Sequence, residues 1–293
     1  MHDPDDAMST LDETRHFSLP PDAAFGPRPA KVTLVGAGPG DPELLTVKAA
    51  RALSAARLVL YDNLVSREVL ALLPPDADRV YVGKRSAHHA LPQHAIIELM
   101  LRLARGGRPV LRLKGGDPYT FGRGGEEAQA LAEAGIPFEV IPGISAAQGA
   151  AAYAGIPLTH RDHASSVQWI TGHLRADAGG EALALDWPKL VRGGQTLVVY
   201  MGLAALPVLA AQLIHHGLAA DTPAAIVERA TLPGQRTLVG TLQALPALAQ
   251  AEGVGSPALI LIGSVVTLHA LLAPHGGAGR GAIDVGEGLA VAA

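Results

Sequence analysis

Cysteine is absent from the 293 residues. Disulfides, thiolate zinc sites, cysteine-ligated iron–sulfur clusters and cysteine nucleophiles are thereby excluded, and the absence fits a reducing compartment. Aromatic residues make up only 4%, so the cores have to be built from Ala, Leu, Val and Ile. No apolar run approaches the roughly 20 residues that a membrane span requires. The first 30 residues lack the basic start and apolar stretch of a secretory signal. They carry Asp3, Asp5, Asp6, Asp12, Glu13, Asp22 and five prolines, the composition of a flexible leader. A cytoplasmic protein without membrane association is the expectation.

The chain is 48% hydrophobic and 17% charged, enough apolar material for two packed domains. A net charge of −4 argues against a general nucleic-acid binder. The charge is unevenly spread. Between Arg79 and Arg123 stand nine Lys/Arg (Arg79, Lys84, Arg85, Arg102, Arg105, Arg108, Arg112, Lys114, Arg123) against Glu98 and Asp117, a local surplus of +7. Such a patch suits an anionic ligand.

Short apolar runs alternate with helical patterns from Val32 to Tyr153. That alternation predicts a parallel sheet covered on both faces over residues 31–160. Four loops leave predicted strand ends, 36–42, 83–85, 114–118 and 142–145, and should share one edge, where such sheets bind ligands. Beyond residue 160 the pattern changes. The runs 224–230 and 237–242 are separated by only six residues, too few for a helical crossover, so they are predicted to pair antiparallel. Residues 161–273 therefore read as a second, mixed α/β domain, with helices over 203–216 and 242–250 and a strand over 258–266. Asp177–Glu181 reads as an exposed loop, and 274–293 as a Gly-rich, flexible tail.

Gly36-Ala37-Gly38-Pro39-Gly40 follows a strand, and Asp62 ends the next one, as in a dinucleotide fingerprint. The match breaks at Asp41, where a third glycine is required. Pro39 and Pro42 also remove amide donors, and the Asp41 carboxylate would repel a pyrophosphate. A cofactor without phosphate suits the loop better. In Lys114-Gly115-Gly116-Asp117 the paired glycines admit a ligand close to backbone, and the carboxylate could hold an amino group or a ribose. Arg123 and Glu126, three residues apart at a helix start, can meet on one face. Ser145 can cap the next helix. Twelve histidines occur, but the adjacent pairs His88-His89 and His215-His216 do not converge on one ion, and no metal site is expected.

Taken together, VGAGPGDPELLTVKA, YDNLVS, GKR, RLKGGDPYTFGRGGEE, PGISAAQGAAAYAGIPLTHR, TGH, VVYMG and SPALILIGSVV resemble the uroporphyrinogen-III C-methyltransferases, within the wider tetrapyrrole methylase family. The resemblance covers roughly Lys31 to Leu271. It implies two α/β domains with the active site in the cleft between them, and S-adenosylmethionine bound there and released as S-adenosylhomocysteine. Positions matching the family's cofactor contacts are Pro39, Gly115, Gly116, Asp117, Thr120, Ser145, Ala146, Met201 and Ala230. On the tetrapyrrole side the resemblance implies Asp62, Lys84, Arg123, Glu126 and Arg161. Asp62 is a candidate proton acceptor with Lys84 as a donor, and Arg123, oriented by Glu126, is a competing candidate that serves first as a carboxylate clamp. The implied substrate, uroporphyrinogen III, carries eight carboxylates, which the basic surplus would attract. The implied reaction is two successive methylations, at C2 and C7, giving precorrin-2 through precorrin-1 for sirohaem, cobalamin or haem d1. The methyl donor is already activated, so the enzyme's task is alignment. The family also implies a homodimer. Some members carry an N-terminal dehydrogenase and chelatase module, and the short leader here leads to the expectation of a methylase alone. A nicotinamide-dependent oxidoreductase and a non-catalytic tetrapyrrole-binding protein are the alternatives. The first needs the glycine missing at Asp41, and the second has no use for the loop 114–117.

Overall fold

The computed structural model describes residues 28–83, 91–173 and 185–273. Most of the expected leader, the expected tail, the expected loop 177–181, and both Lys84 and Arg85 lie outside the described residues.

The first sheet comprises β1 (Val32–Gly36), β2 (Leu58–Tyr61), β3 (Asp78–Tyr81), β4 (Val110–Lys114) and β5 (Phe138–Ile141). Its order is β3-β2-β4-β1-β5, and every pairing is parallel. Alternation along each strand sends side chains to two cores. Val32, Leu34, Leu58, Leu60 and Val110 meet α3 (Gln93–Arg105) and α4 (Gly124–Glu133) through Ile96, Met100, Leu103 and Leu131. Val35, Val59, Leu111 and Leu113 meet α1 (Val47–Ser54) and α2 (Arg67–Leu70) through Ala49, Leu53 and Val69. Burying each large aliphatic side chain contributes about 1.5–3 kcal/mol. Helix α1 starts later than its apolar pattern because two caps stand in series. Asp41 accepts from Glu43 N at the head of a separate 3₁₀ turn, Pro42–Leu44, and Thr46 accepts from Ala49 N to open α1.

The second sheet contains β6 (Ser166–Thr171), β7 (Gln195–Tyr200), β8 (Pro223–Glu228), β9 (Arg236–Thr241) and β10 (Ala258–Ile262), in the order β6-β7-β10-β8-β9. Only β6 and β7 run parallel; the β8–β9 pair is antiparallel, as the short connection requires. The strand expected over 258–266 stops at Ile262, where Gly263, at φ 142°, turns the chain into a 3₁₀ segment, Ser264–Leu268. One face of this sheet is covered by α6 (Leu206–His215) and α7 (Leu245–Ala251). The other is covered by α5 (Ala146–Ala154), whose Ala147, Ala150 and Ala154 lie against Val198, Ala225, Val227 and Leu261. This helix follows β5 of the first sheet in sequence yet packs in the core of the second. Its small side chains permit that close approach, and a larger residue at Ala150 would overpack the contact.

Candidate active site

Parallel pairing brings the loops after β1, β4 and β5 to one edge, and glycine lets them interlock. A Cβ at Gly36 would stand 2.5 Å from Gly143 N and 2.7 Å from Gly116 O; one at Gly143 would stand 2.3 Å from Gly116 O. Gly38 and Gly116 exchange two backbone hydrogen bonds of 3.1 and 2.7 Å. Asp117 completes the junction. Its Oδ2 accepts from Gly143 N at 3.2 Å, while Oδ1 accepts from Tyr119 N at 2.9 Å and from the Thr120 hydroxyl at 3.3 Å. The carboxylate read as a ligand contact is thus first the tie between two loops.

The second domain closes on this junction. Pro39 rests on α5, where a Cβ at Gly149 would meet its Cγ at 2.5 Å. Asp41 N donates to Thr231 Oγ1 at 3.1 Å, and the Tyr153 hydroxyl donates to the Asp41 carboxylate. That bond, followed by burial, pushes the Tyr153 phenol up to about 12. Ser145 and Gln148 form a capping box at the head of α5, and Ala147 N donates to the Tyr200 hydroxyl at 3.0 Å. Burial raises the Tyr200 phenol above its ordinary value. Tyr200 in turn supports the Phe121 ring, centroid to centroid 4.7 Å.

Pro39, Gly115, Gly116, Asp117, Thr120, Ser145 and Ala146 therefore come together. Met201 follows Tyr200, and Ala230 stands between Arg229 and Thr231 at the same edge of the second sheet, because β8 ends beside the start of β10 and the end of β7. All five non-glycine residues with positive φ among the described residues, Phe121, Arg123, Met201, Arg229 and Thr231, lie in these loops. Strain of this kind costs about 1–3 kcal/mol per residue and concentrates where a site demands it.

Arg123 and Glu126 form a bidentate pair, Nε–Oε1 2.8 Å and Nη2–Oε2 2.6 Å, both side chains over half exposed. The pairing raises the Arg123 pKa and lowers that of Glu126. Asp62 is half-buried; its Oδ1 accepts from Leu64 N, and its Oδ2 lies 3.2 Å from Arg112 Nη2. Beneath it Glu127 is fully buried and receives Arg112, Lys114 and Gln93 on Oε1 at 3.1–3.2 Å. Burial, then Arg112, lowers the Lys114 pKa.

Two expectations need correction. Arg161 does not join the cluster. Its loop precedes β6, where Ser165 N bonds Gly194 O ahead of β7. The parallel β6–β7 register therefore puts Arg161 at the opposite end of a six-residue strand pair from Tyr200 and Met201, roughly 17 Å away along the strands. The basic surplus is also smaller than its count, since Arg112 and Lys114 are buried against Asp62 and Glu127. Lys84 lies outside the described residues, as stated above. Arg112, Lys114, Glu127, Phe121 and Tyr200 were not singled out as site residues from sequence. One signal was there to read: Arg112 and Lys114 alternate with Leu111 and Leu113 in a strand expected to be buried on both faces. No cluster of metal-ligating side chains occurs among the described residues, and no described helix is long and apolar enough to cross a membrane.

A glycine-knotted junction of strand-end loops between a parallel and a mixed sheet defines a two-domain α/β protein of the kind that binds small molecules at its strand ends. The profile of the tetrapyrrole (corrin/porphyrin) methylases matches residues 31–246, and the chain belongs to that family. The siroheme synthase of Azotobacter vinelandii is 56% identical over 243 residues, 83% of this chain and 52% of the relative. The chain spans about half the length of the curated relatives it matches. The crystal structure of the Thermus thermophilus uroporphyrin-III C-methyl transferase complexed with S-adenyl homocysteine is 43% identical, with a TM-score of 0.69, covering 82% of this chain and all of that one. The cobalt precorrin-4 methyltransferase structure is 28% identical, with a TM-score of 0.70 over 80% of this chain and 95% of its own.

Proposed function

We propose that this chain transfers methyl groups from S-adenosylmethionine to uroporphyrinogen III, first at C2 and then at C7, giving precorrin-2 through precorrin-1. The observation that carries the cofactor class is the absence of a phosphate cradle where a dinucleotide would need one. At the head of α5 the amides of Ser145, Ala147 and Gln148 already bond to Gln148, Tyr200 and Ser145. In the first loop the Asp41 carboxylate already accepts from Glu43 N and the Tyr153 hydroxyl, and its charge would repel a pyrophosphate. Backbone, glycines and the faces of Phe121 and Tyr200 fit a phosphate-free nucleoside. The nicotinamide reading loses its support on the same ground.

S-adenosylmethionine supplies an activated sulfonium methyl. The chain's own residues supply position. Pro39, Gly115, Gly116, Asp117, Thr120, Ser145, Ala146, Met201 and Ala230 hold the cofactor side, and alignment of the reacting atoms is the main source of rate. Arg123, stiffened by Glu126, clamps a substrate carboxylate. Asp62 accepts the proton released by the methylated macrocycle, and Lys84 acts as donor. The siroheme synthases among the relatives favour sirohaem as the use of the product. Assembly as a homodimer is part of the proposal, with sedimentation velocity as its check. The decisive experiment incubates the chain with uroporphyrinogen III and methyl-labelled S-adenosylmethionine and follows product mass. Two labelled methyl groups are expected per macrocycle. No transfer, with no heat of binding for S-adenosylhomocysteine, would refute the reading.

A further inference from the structure

Four charged side chains form a buried row under the cleft: Asp62 at the end of β2, Arg112 and Lys114 on β4, and Glu127 on α4. Side-chain exposure is 21% for Asp62, 3% for Arg112, 4% for Lys114 and 0% for Glu127. Only Asp62 can reach a substrate. A buried ion cluster is no more stabilising than apolar residues of the same volume, so its presence beside a solvent-reaching carboxylate needs a different reason.

The geometry of Arg112 suggests one. Its Nε donates to Glu127 Oε1 at 3.2 Å, Nη1 to Leu113 O at 2.9 Å, and Nη2 to Asp62 Oδ2 at 3.2 Å. Every nitrogen is committed to a different partner. An arginine left alone with a carboxylate takes it in two parallel hydrogen bonds. That would turn the Asp62 carboxylate into the domain and away from the cleft. By holding the Nε edge, Glu127 limits Arg112 to one contact with Asp62. Lys114, 3.1 Å from Glu127, balances the added negative charge, and Gln93 from α3 fixes the same oxygen. From α4, Arg123 and Glu126 add weaker fields.

We infer that Glu127 is a positioning residue, which through Arg112 sets the direction of the Asp62 carboxylate. The inference rests on the reading of Asp62 as proton acceptor, and its test separates the two. Glu127→Gln keeps an acceptor oxygen and removes the charge. Single-turnover methylation with enzyme in excess is measured for the parent, Glu127→Gln, Asp62→Asn and the double variant, with S-adenosylhomocysteine affinity measured alongside. The expected result is a loss of ~10-fold in rate for Glu127→Gln, with KM for the tetrapyrrole and cofactor affinity within about twofold. In the Asp62→Asn background the same substitution is expected to change the rate by less than about twofold. Equal losses in both backgrounds, or no loss in the parent, would overturn the role of Glu127. A parent-like rate for Asp62→Asn would overturn the acceptor assignment itself. Should Glu127→Gln fail to fold, pairing it with Lys114→Met removes both buried charges, and the coupling to Asp62→Asn is read in the same way.

Discussion

The triple-glycine junction makes a sharp prediction for Gly143→Ala. The added Cβ would lie 2.3 Å from Gly116 O and 2.9 Å from Gly36 C and Cα, all backbone atoms. No side-chain rotation can relieve these contacts, and ordinary separation begins at 3.4 Å. The loop after β4 would have to move by about 1 Å relative to the loops after β1 and β5. Overpacking of that kind costs about 1–3 kcal/mol, and weakening the paired Gly38–Gly116 hydrogen bonds adds about 1 kcal/mol. The melting temperature should fall by roughly 4–16 °C, at about 2–4 °C per kcal/mol for domains of this size. Displacement of Gly116 and Asp117 by that distance should also weaken S-adenosylhomocysteine binding by tenfold or more, since misplacement of about 1 Å can cost ~100-fold in an aligned site. Thermal melting and isothermal calorimetry read both quantities. Gly193→Ala is the control: nothing lies within 4 Å of its Cβ, and it should hold or raise stability by a few tenths to about 1 kcal/mol. If Gly143→Ala melts and binds like the parent, the interlocking of the three loops is not what shapes the cleft.

Arg123→Ala should slow turnover at least ~10-fold while cofactor affinity and melting temperature hold, because its ion pair is exposed and contributes about 0–1 kcal/mol to stability; loss of cofactor affinity instead would refute the division of the cleft. Lys114→Met leaves the buried Glu127 charge to Arg112, which Asp62 also shares, and should destabilise by about 1–3 kcal/mol in urea unfolding, with much of that recovered on adding Glu127→Gln. The Tyr153 phenol, raised to about 12, favours the folded state fully below its ordinary value near 10 and loses that contribution as pH climbs toward about 12. Spectrophotometric titration should show this tyrosine ionising late, and Asp41→Asn should return it toward 10. Glu139 shows the opposite sign. Lys31 and then Lys48 lower its carboxyl to about 2, so its contribution is present above about pH 4.5, fades as pH falls toward 2, and can be followed by carboxyl NMR with salt as the screen.

Local grammar carried much of the architecture. Alternating apolar strands and amphipathic helices up to Ile141 sufficed for the parallel sheet, because each element's periodicity states which faces must be buried. Six residues between the runs 224–230 and 237–242 left antiparallel pairing as the short route. Spacing also sufficed for the Arg123–Glu126 pair, since positions three apart on a helix are neighbours in any fold. What composition suggested about charge was less reliable: Arg112 and Lys114 count as basic in a tally, and only packing shows their charges already matched by Asp62 and Glu127. Helix α5 reads as the next helix of the first domain, yet its alanines fit the second sheet, a partner that no local pattern names. Arg161 lies close in sequence to Ser145 and far from it in space, because α5 carries the chain to the opposite end of the second sheet. Residue types, periodicities and motif spacing are properties of the chain alone; which loops share an edge, which charges are neutralised and which way Asp62 is held depend on register and on contacts between distant segments, and only the folded molecule decides those.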